Sequence, residues 1–316
     1  MRLSDRIGQR LKLHDLHVLT TVAQSGSMAE AARQLNTSQP AVSRSIAELE
    51  KTLGVRLFDR NRRGIEPTDY GRALLGCSLA VFDEIHQGMR KIEFLVNPTA
   101  GEIRIGGNEP QIDGLLPAVI SQLRRKYPGF SHHVTPVDNL AQQFINLRER
   151  KVDLILARIP QSVEEDIAAE VLFYDRTFVV AGSRNKWTRR RKIELAELAD
   201  EPWCLPPIGS LPGSIFGQSF VANGIAFPPR GVTTGSPNMH LALLTCGPFL
   251  AILPGSMLRF LRNSRSIKIL PVNLTIPPWP VGFMTLKSRT LNPAAKLFIE
   301  CTREVVRPLA QEMKRV

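Results

Sequence analysis

An α/β fold with a separate, mostly helical N-terminal domain is what this 316-residue chain predicts. Three observations lead there. Ser27 to Gly71 reads as helix, three-residue turn, helix and basic hairpin. Tyr70 to about Val96 is a single proline-free helical pattern with a wide apolar stripe. Beyond Asn97-Pro98-Thr99-Ala100-Gly101, a hinge by composition, strands and helices alternate as far as Val306.

The first element of that opening stretch starts at Ser27, which can cap a helix, with Glu30 three residues on to reach back. Ala29, Ala31, Ala32 and Leu35 make it short and small-sided. Asn36 tolerates the left-handed conformation that ends a helix. Thr37 or Ser38 caps the next helix, and Pro40 sits in its first turn, where a missing N–H costs nothing. This helix runs Gln39 to Leu53 and stops at Gly54. Val42, Ile46, Leu49 and Leu53, at steps of four, three and four, form its apolar face. Its other face begins with Gln39, Ser43 and Arg44. Amide and guanidinium groups read adenine and guanine edges bidentately, and a helix offering them from its first turns fits a major groove. The expected DNA-contacting set is Thr37, Ser38, Gln39, Ser43 and Arg44, joined by Arg60, Arg62 and Arg63 from the hairpin. Val55 to Arg60 alternates as a half-buried strand does, Asn61-Arg62-Arg63-Gly64 turns, and Ile65 to Thr68 returns. Arginines at such a tip suit phosphates.

The run Leu16 to Leu75 also carries a resemblance. Ala31-Ala32-Arg33-Gln34-Leu35, Ser38-Gln39-Pro40-Ala41-Val42-Ser43, Leu49-Glu50, Leu53-Gly54, Leu57-Phe58-Asp59-Arg60 and Thr68-Asp69-Tyr70-Gly71 resemble the winged helix-turn-helix of LysR-type transcriptional regulators. The opening Arg10-Leu-Lys-Leu-His-Asp-Leu-His and the junction Pro98 to Gly106 are similar to the branch that contains regulators of galactose-binding proteins. The resemblance implies an effector domain of two lobes, like a periplasmic solute-binding protein, after the winged domain and linker helix. The expected layout is 1–68 for the winged DNA-binding domain and 69–97 for the linker and dimerisation helix. Residues 98–162 with 271–316 are expected to form lobe I, and 163–270 lobe II, with crossovers near Ile159–Glu165 and Leu270–Leu274.

Composition agrees with a polyanionic partner: the formal net charge is +12 and the pI about 10.0. Residues 1–67 hold 11 Lys and Arg against 7 Asp and Glu, a net of +4; the other +8 lies beyond them, so bulk charge does not locate the DNA surface. Cys77, Cys204, Cys246 and Cys301 form no C-x-x-C pair, which argues against a zinc finger or disulfide framework and suits a reducing cytosol. Met1 to Lys12 lacks the apolar run of a signal peptide, and no stretch approaches 18 apolar residues. A cytoplasmic protein without membrane contact is expected.

In the linker, Leu74, Val81, Ile85, Ile92 and Leu95 share one seam, and Leu75, Phe82, Met89 and Val96 recur every seven residues beside it. Such a stripe is buried against another helix. The resemblance implies an antiparallel pairing with a second subunit and a dimer of dimers, a homotetramer; packing on the chain's own C-terminal region is the alternative.

In the α/β region, Glu102–Gly107, His132–Val137 and Asp153–Ile159 read as strands alternating with helices Leu115–Tyr127 and Leu140–Lys151. A second set starts with a strand Val171–Ala181, and Ile267–Val272 and Val281–Leu286 are expected to return to the first sheet. Alternation of this kind predicts parallel sheets, which bind ligands outside the carboxyl ends of their strands. Four turns qualify: Asn108-Glu109-Pro110-Gln111, Val137-Asp138-Asn139, Pro207-Ile208-Gly209-Ser210 and Ser236-Pro237-Asn238-Met239. The candidate effector-binding residues are Asn108, Glu109, Gln111, Asp138, Asn139, Gly209, Ser210, Ser236 and Asn238. Carboxylates there favour hydroxyl-rich or cationic ligands, although Glu109 and Asp138 could instead serve their helix N-termini.

Other features carry less. Gly106-Gly107 lacks the G-x-G-x-x-G spacing of a dinucleotide loop. His14-x-x-His17 and His132-His133 lack companion ligands, and no metal or cofactor is expected. Arg189-Arg190-Arg191-Lys192 reads as a solvated loop. Cys204 and Cys246 invite comparison with the peroxide-sensing branch of the family, but their separation favours structural thiols. No nucleophile or paired-carboxylate arrangement can be assembled, so an enzyme or solute carrier with a nucleic-acid-binding appendage is the runner-up. The expected function is a ligand-responsive, sequence-specific regulator that is not an enzyme. Its expected partners are double-stranded DNA, a sugar-like or other small metabolite, further copies of itself and, as a candidate, RNA polymerase.

Overall fold

The computed structural model describes residues 11–61, 64–228, 231–260 and 266–312. It divides into two compact units, Met1–Met89 with Arg148–Arg150, and Arg90–Leu147 with Lys151–Val316.

In the first unit, α1 (Leu13–Ser25), α2 (Met28–Gln34) and α3 (Gln39–Leu53) pack around Leu19, Val22, Ala31, Val42, Ile46 and Leu49. Burying each of the large aliphatic side chains contributes roughly 1.5–3 kcal/mol. Asn36 has φ 51, which turns the chain between α2 and α3. Ser38 caps α3 by accepting from the Ala41 N–H at 3.4 Å, and Gly54, at φ 74, ends it. The capping box expected of Ser27 and Glu30 is not made: Ser27 makes no side-chain cap bond, and the Glu30 carboxylate turns forward to Arg33 and Gln34 on its own helix. The hairpin pairs β1 (Phe58–Asn61) with β2 (Gly64–Pro67). Its first strand starts at Phe58 rather than Val55, because the Glu50 carboxylate accepts from the Leu57 N–H at 2.7 Å and anchors that stretch to α3. The Ile65 N–H donates to the Gly26 carbonyl at 3.1 Å, docking the hairpin on the α1–α2 junction.

The helix α4 (Asp69–Val96) is amphipathic in an inverted sense. Ser78, Asp83 and Gln87 are its buried side chains, with Asp83 Oδ2 facing Arg150 at 3.3 Å. Its apolar residues Val81, Ile85, Met89, Ile92, Leu95 and Val96 are exposed. Phe82 is withdrawn from that stripe, lying edge-on to His17 at 5.9 Å.

The second unit holds two five-stranded sheets. Its first sheet has the order β4-β3-β5-β12-β6, from β3 (Ala100–Gly107), β4 (Gly129–Pro136), β5 (Leu154–Arg158), β6 (Ile167–Asp175) and β12 (Trp279–Leu286). The helices α6 (Leu115–Lys126) and α11 (Pro293–Glu312) cover one face; α7 (Leu140–Arg148) covers the other, where Phe144 and Leu147 pack on Ile155 and Met284. The second sheet has the order β11-β7-β10-β8-β9, from β7 (Thr177–Gly182), β8 (Trp203–Leu205), β9 (Gly231–Thr233), β10 (Leu250–Pro254) and β11 (Ile267–Ile269). Here α8 (Leu211–Ala222) lies on one face, and α9 (Pro237–Cys246) and α10 (Gly255–Phe260) on the other.

The strand expected over Val171–Ala181 is two strands broken at Arg176: β6 pairs with β12 in the first sheet and β7 with β10 in the second. The chain therefore crosses between sheets at Arg176, not at Ile159–Glu165. Ile267–Ile269 pairs with β7 in the second sheet rather than returning to the first. Neither sheet is purely parallel. β12 opposes β5 and β6, and β7 opposes β10 and β11, because these strands enter their sheets from the neighbouring one.

Candidate DNA interface and effector cleft

At the start of α3, Thr37, Ser38, Gln39 and Arg44 are exposed, and Ser43 is half-buried. Val42, Ile46 and Leu49 on the other side are buried. One helix thus presents a polar surface backed by core, and the Ser45 hydroxyl fixes its rotation by donating to Asp15 of α1 at 3.3 Å. Arg44 makes no hydrogen bond or ion pair among the described residues and is free to meet a ligand. Arg62 and Arg63 lie outside the described residues, as does the side chain of Arg60. Arg56, two residues before β1, is exposed. Its carbonyl accepts from the Thr68 hydroxyl at 2.8 Å, which closes the hairpin's base.

At the carboxyl ends of the first sheet's strands, the structure joins two of the four expected turns. Asp138 Oδ1 accepts from the Glu109 N–H at 3.2 Å. A third turn is drawn in from the second sheet: the Asn238 side chain, at the start of α9, donates to Asp113 Oδ2 at 2.8 Å. Asp113 ends α5 (Glu109–Asp113) and was not a sequence candidate. No signal marked it, since its role depends on a residue 125 positions away. The remaining turn, at Gly209-Ser210, has no such tie among the described residues; Ser210 caps α8, accepting from the Gly213 N–H at 3.2 Å. Asn139 is likewise engaged as a cap, accepting from the Gln142 N–H at 3.1 Å. Ser236 is half-buried and makes no cap bond.

The electrostatics there are acidic. Burial, then Asp138 and Asp113, push the Glu109 carboxyl above its ordinary value. Burial also raises Asp113, opposed by the hydrogen bond from Asn238 and reinforced by Asp138. Asn108 Oδ1, Glu109 Oε2 and Gln111 Oε1 are buried acceptors with no hydrogen-bond partner among the described residues. Acceptors in this state call for donors. The cysteines do not meet there. Cys204 is buried in the second sheet, its thiol pushed up to about 11 by burial, and Cys246 is exposed on α9.

Residues 13–72 match the model described as a bacterial regulatory helix-turn-helix protein of the lysR family. Residues 97–307 match the LysR substrate binding domain. The chain belongs to the LysR family. It is a ligand-responsive, DNA-binding transcriptional regulator with an N-terminal helix-turn-helix domain and a two-lobed effector domain. Among relatives, the HTH-type transcriptional regulator GbpR of Azospirillum brasilense is 27% identical over 303 residues, covering 93% of this chain and 86% of that protein. The transcriptional dual regulator GltC of Bacillus subtilis is 27% identical, covering 92% and 96%. In fold, the chain is similar to full-length OxyR from Pseudomonas aeruginosa, at TM-score 0.67 and 22% identity over 94% of this chain and 97% of that one. It is also similar to full-length CbnR in complex with its target DNA, at TM-score 0.62 and 22% identity over 93% and 100%. Among the described residues no helix is long and apolar enough to cross a membrane.

Proposed function

We propose that this LysR regulator reads operator half-sites with the first turns of α3, using Gln39, Ser43 and Arg44 on base edges, with Thr37 and Ser38 beside them. The hairpin arginines Arg60, Arg62 and Arg63 serve as phosphate or minor-groove contacts by their place in the sequence. Residues 1–68 are the DNA-binding part and 69–97 the linker. The chain acts as a homo-oligomer, a dimer of dimers, paired through the exposed apolar face of α4, since two half-sites require two-fold symmetry. It acts by binding, not turnover. The effector is a small, hydroxyl-rich metabolite such as a sugar, held between the lobes by Asn108, Glu109, Gln111 and Asp138 from one sheet and Ser236 and Asn238 from the other. Ligand binding shifts the assembly toward the quaternary state that it prefers.

The observation that supports the DNA reading most is the single face of α3. Its exposed start carries Arg44, unpaired among the described residues, while the opposite side is buried core. Selection of bound duplexes from a random pool tests it. An enriched sequence with two half-sites about one or more helical turns apart is expected. A folded protein that enriches no sequence would refute the assignment. A thermal-shift screen for the effector completes the test, since a ligand at 100 times its Kd adds about 2.7 kcal/mol.

A further inference from the structure

We infer that the effector cleft contains an anion-binding subsite built from Arg158 and Trp279, and that the effector is a polyhydroxy acid, with a carboxylate at one end and hydroxyls at the other. This rests on the reading that the effector enters between the two lobes.

Arg158 is the last residue of β5. Register pairs Gly107 of β3 with Leu156. Arg158, two residues further on, is therefore level with the start of the Asn108–Gln111 turn on the neighbouring strand. Alternation along β5 puts Leu154, Leu156 and Arg158 on one face. The two leucines join the core beneath α6 and α11, and Arg158 emerges at its rim. Its guanidinium carbon lies 3.6 Å from the centre of the Trp279 ring. Trp279 packs against the hydrophobic core of the second lobe, stacked on Phe216 of α8 at 6.2 Å. The cation thus sits at the seam, carried by the first sheet and faced by an indole bound to the second.

What distinguishes Arg158 is the lack of a counterion among the described residues. In the same lobe, Arg104 of β3 and Arg289, just after β12, both face the Asp153 carboxylate, at 3.0 and 2.7 Å. Arg158 has no ion pair among the described residues, and its buried Nη1 has no hydrogen-bond partner. Burial lowers its pKa to about 10, so it remains charged at neutral pH. A guanidinium stacked on an aromatic ring keeps its in-plane N–H groups free, and those groups match a carboxylate bidentately. A partly desolvated, unpaired cation is costly to keep, and a ligand carboxylate removes that cost.

The neighbouring turn asks for the opposite chemistry. Gln111 is only 3% exposed, and its Oε1, like Asn108 Oδ1 and Glu109 Oε2, lacks a donor. Together with Asp113 and Asp138 these groups suit hydroxyls and repel a second anion. A neutral sugar leaves Arg158 unmatched, and an aromatic acid leaves the acceptors unmatched. A sugar acid satisfies both ends.

Calorimetric titration of the full-length protein tests this with gluconate, galacturonate and galactarate, their neutral parents glucose and galactose, and benzoate. At least one polyhydroxy acid should bind tenfold or more tightly than its parent sugar. Arg158→Met should erase that difference without lowering the ligand-free melting temperature. Arg158→Lys, which keeps the charge but loses the fork, should recover only part of the affinity. Glu109→Gln should weaken acid and sugar alike. The inference is overturned if no polyhydroxy acid binds, if parent sugars bind as tightly as their acids, if benzoate binds more tightly than all of them, or if both Arg158 variants bind the acid as wild type does. The reading of the cleft itself fails by a different result: a hit from an unbiased screen whose affinity is unmoved by Glu109→Gln, Asp138→Ala and Ser236→Ala together.

Discussion

The Asn238 side-chain amide donates to the Asp113 carboxylate at 2.8 Å, joining the start of α9 under the second sheet to the end of α5 beside the first. It bridges the two lobes at the edge of the proposed effector cleft. Because Asn238 is exposed and Asp113 only partly covered, the net contribution is modest, about 0.5–1.5 kcal/mol. A double-mutant cycle of Asn238→Ala and Asp113→Ala, followed by urea unfolding, should show coupling of that size. Strict additivity would remove the bridge from the account.

Arg44 is exposed on α3 and makes no hydrogen bond or ion pair among the described residues. Arg44→Ala should cost roughly 1–3 kcal/mol on a selected operator and relax preference at the base it reads. Fluorescence anisotropy against operator and scrambled duplexes measures both effects. An equal loss on the two duplexes would reassign Arg44 to the phosphates.

The outer face of α4 leaves Ile92 63% and Leu95 71% exposed, while Asp83 on the inner face is 4% exposed. Phe82, engaged with His17, is a poor probe of that face. Ile85→Asp with Ile92→Asp places charges in the proposed interface without touching the folded unit. The variant should sediment at lower mass than wild type and bind operator far more weakly. Wild type that is already monomeric at micromolar concentration would contradict the pairing.

Asp153, 1% exposed, lies between Arg104, Arg289 and, at 3.6 Å, Arg90. Burial raises its pKa, but Arg104 and Arg289 outweigh burial and hold it below the ordinary carboxylate range. Asp153→Ala strands the buried Arg289, so a loss of about 3–5 kcal/mol is expected. With a depressed folded pKa, the contribution of Asp153 is present above about pH 4 and is lost as pH falls through the folded value. A variant as stable as wild type in thermal unfolding at pH 7 would refute this.

Asp175 behaves oppositely. It sits at the crossover, accepting from the Ser256 N–H at 3.0 Å, and burial raises its pKa from 3.8 to about 6 despite its hydrogen bonds to Ser256 and the Arg176 and Gly255 backbone. Its contribution is fully present below the unfolded value and fades as pH rises through the folded one. The penalty at pH 7 is on the order of 3 kcal/mol. Unfolding of wild type and Asp175→Asn between pH 3.5 and 7.5 should therefore diverge, wild type losing ground to the variant between about pH 4 and 6. Parallel curves would show that Asp175 does not titrate in that window.

The sequence by itself determined the N-terminal unit almost element by element. Ser38, Pro40, Asn36 and Gly54 mark turns and helix ends through local backbone chemistry. Val42, Ile46 and Leu49 mark a buried face through spacing alone, and all of this lies within about two dozen residues. The existence of alternating strands and helices after Gly101 was legible for the same reason. Sheet membership was not. Val171–Ala181 reads as one strand along the chain, and only the partners β12 and β10 assign its two parts to different sheets. For the proposed cleft, strand ends followed by helices point to Asn108, Asp138 and Asn238, and the structure brings their turns together. Asp113 and Arg158 carried no mark, because their meaning comes from Asn238 and Trp279, more than a hundred residues away. Local capping and periodicity are written in neighbouring residues, whereas burial, pairing and the lack of a counterion arise only when distant segments are packed together.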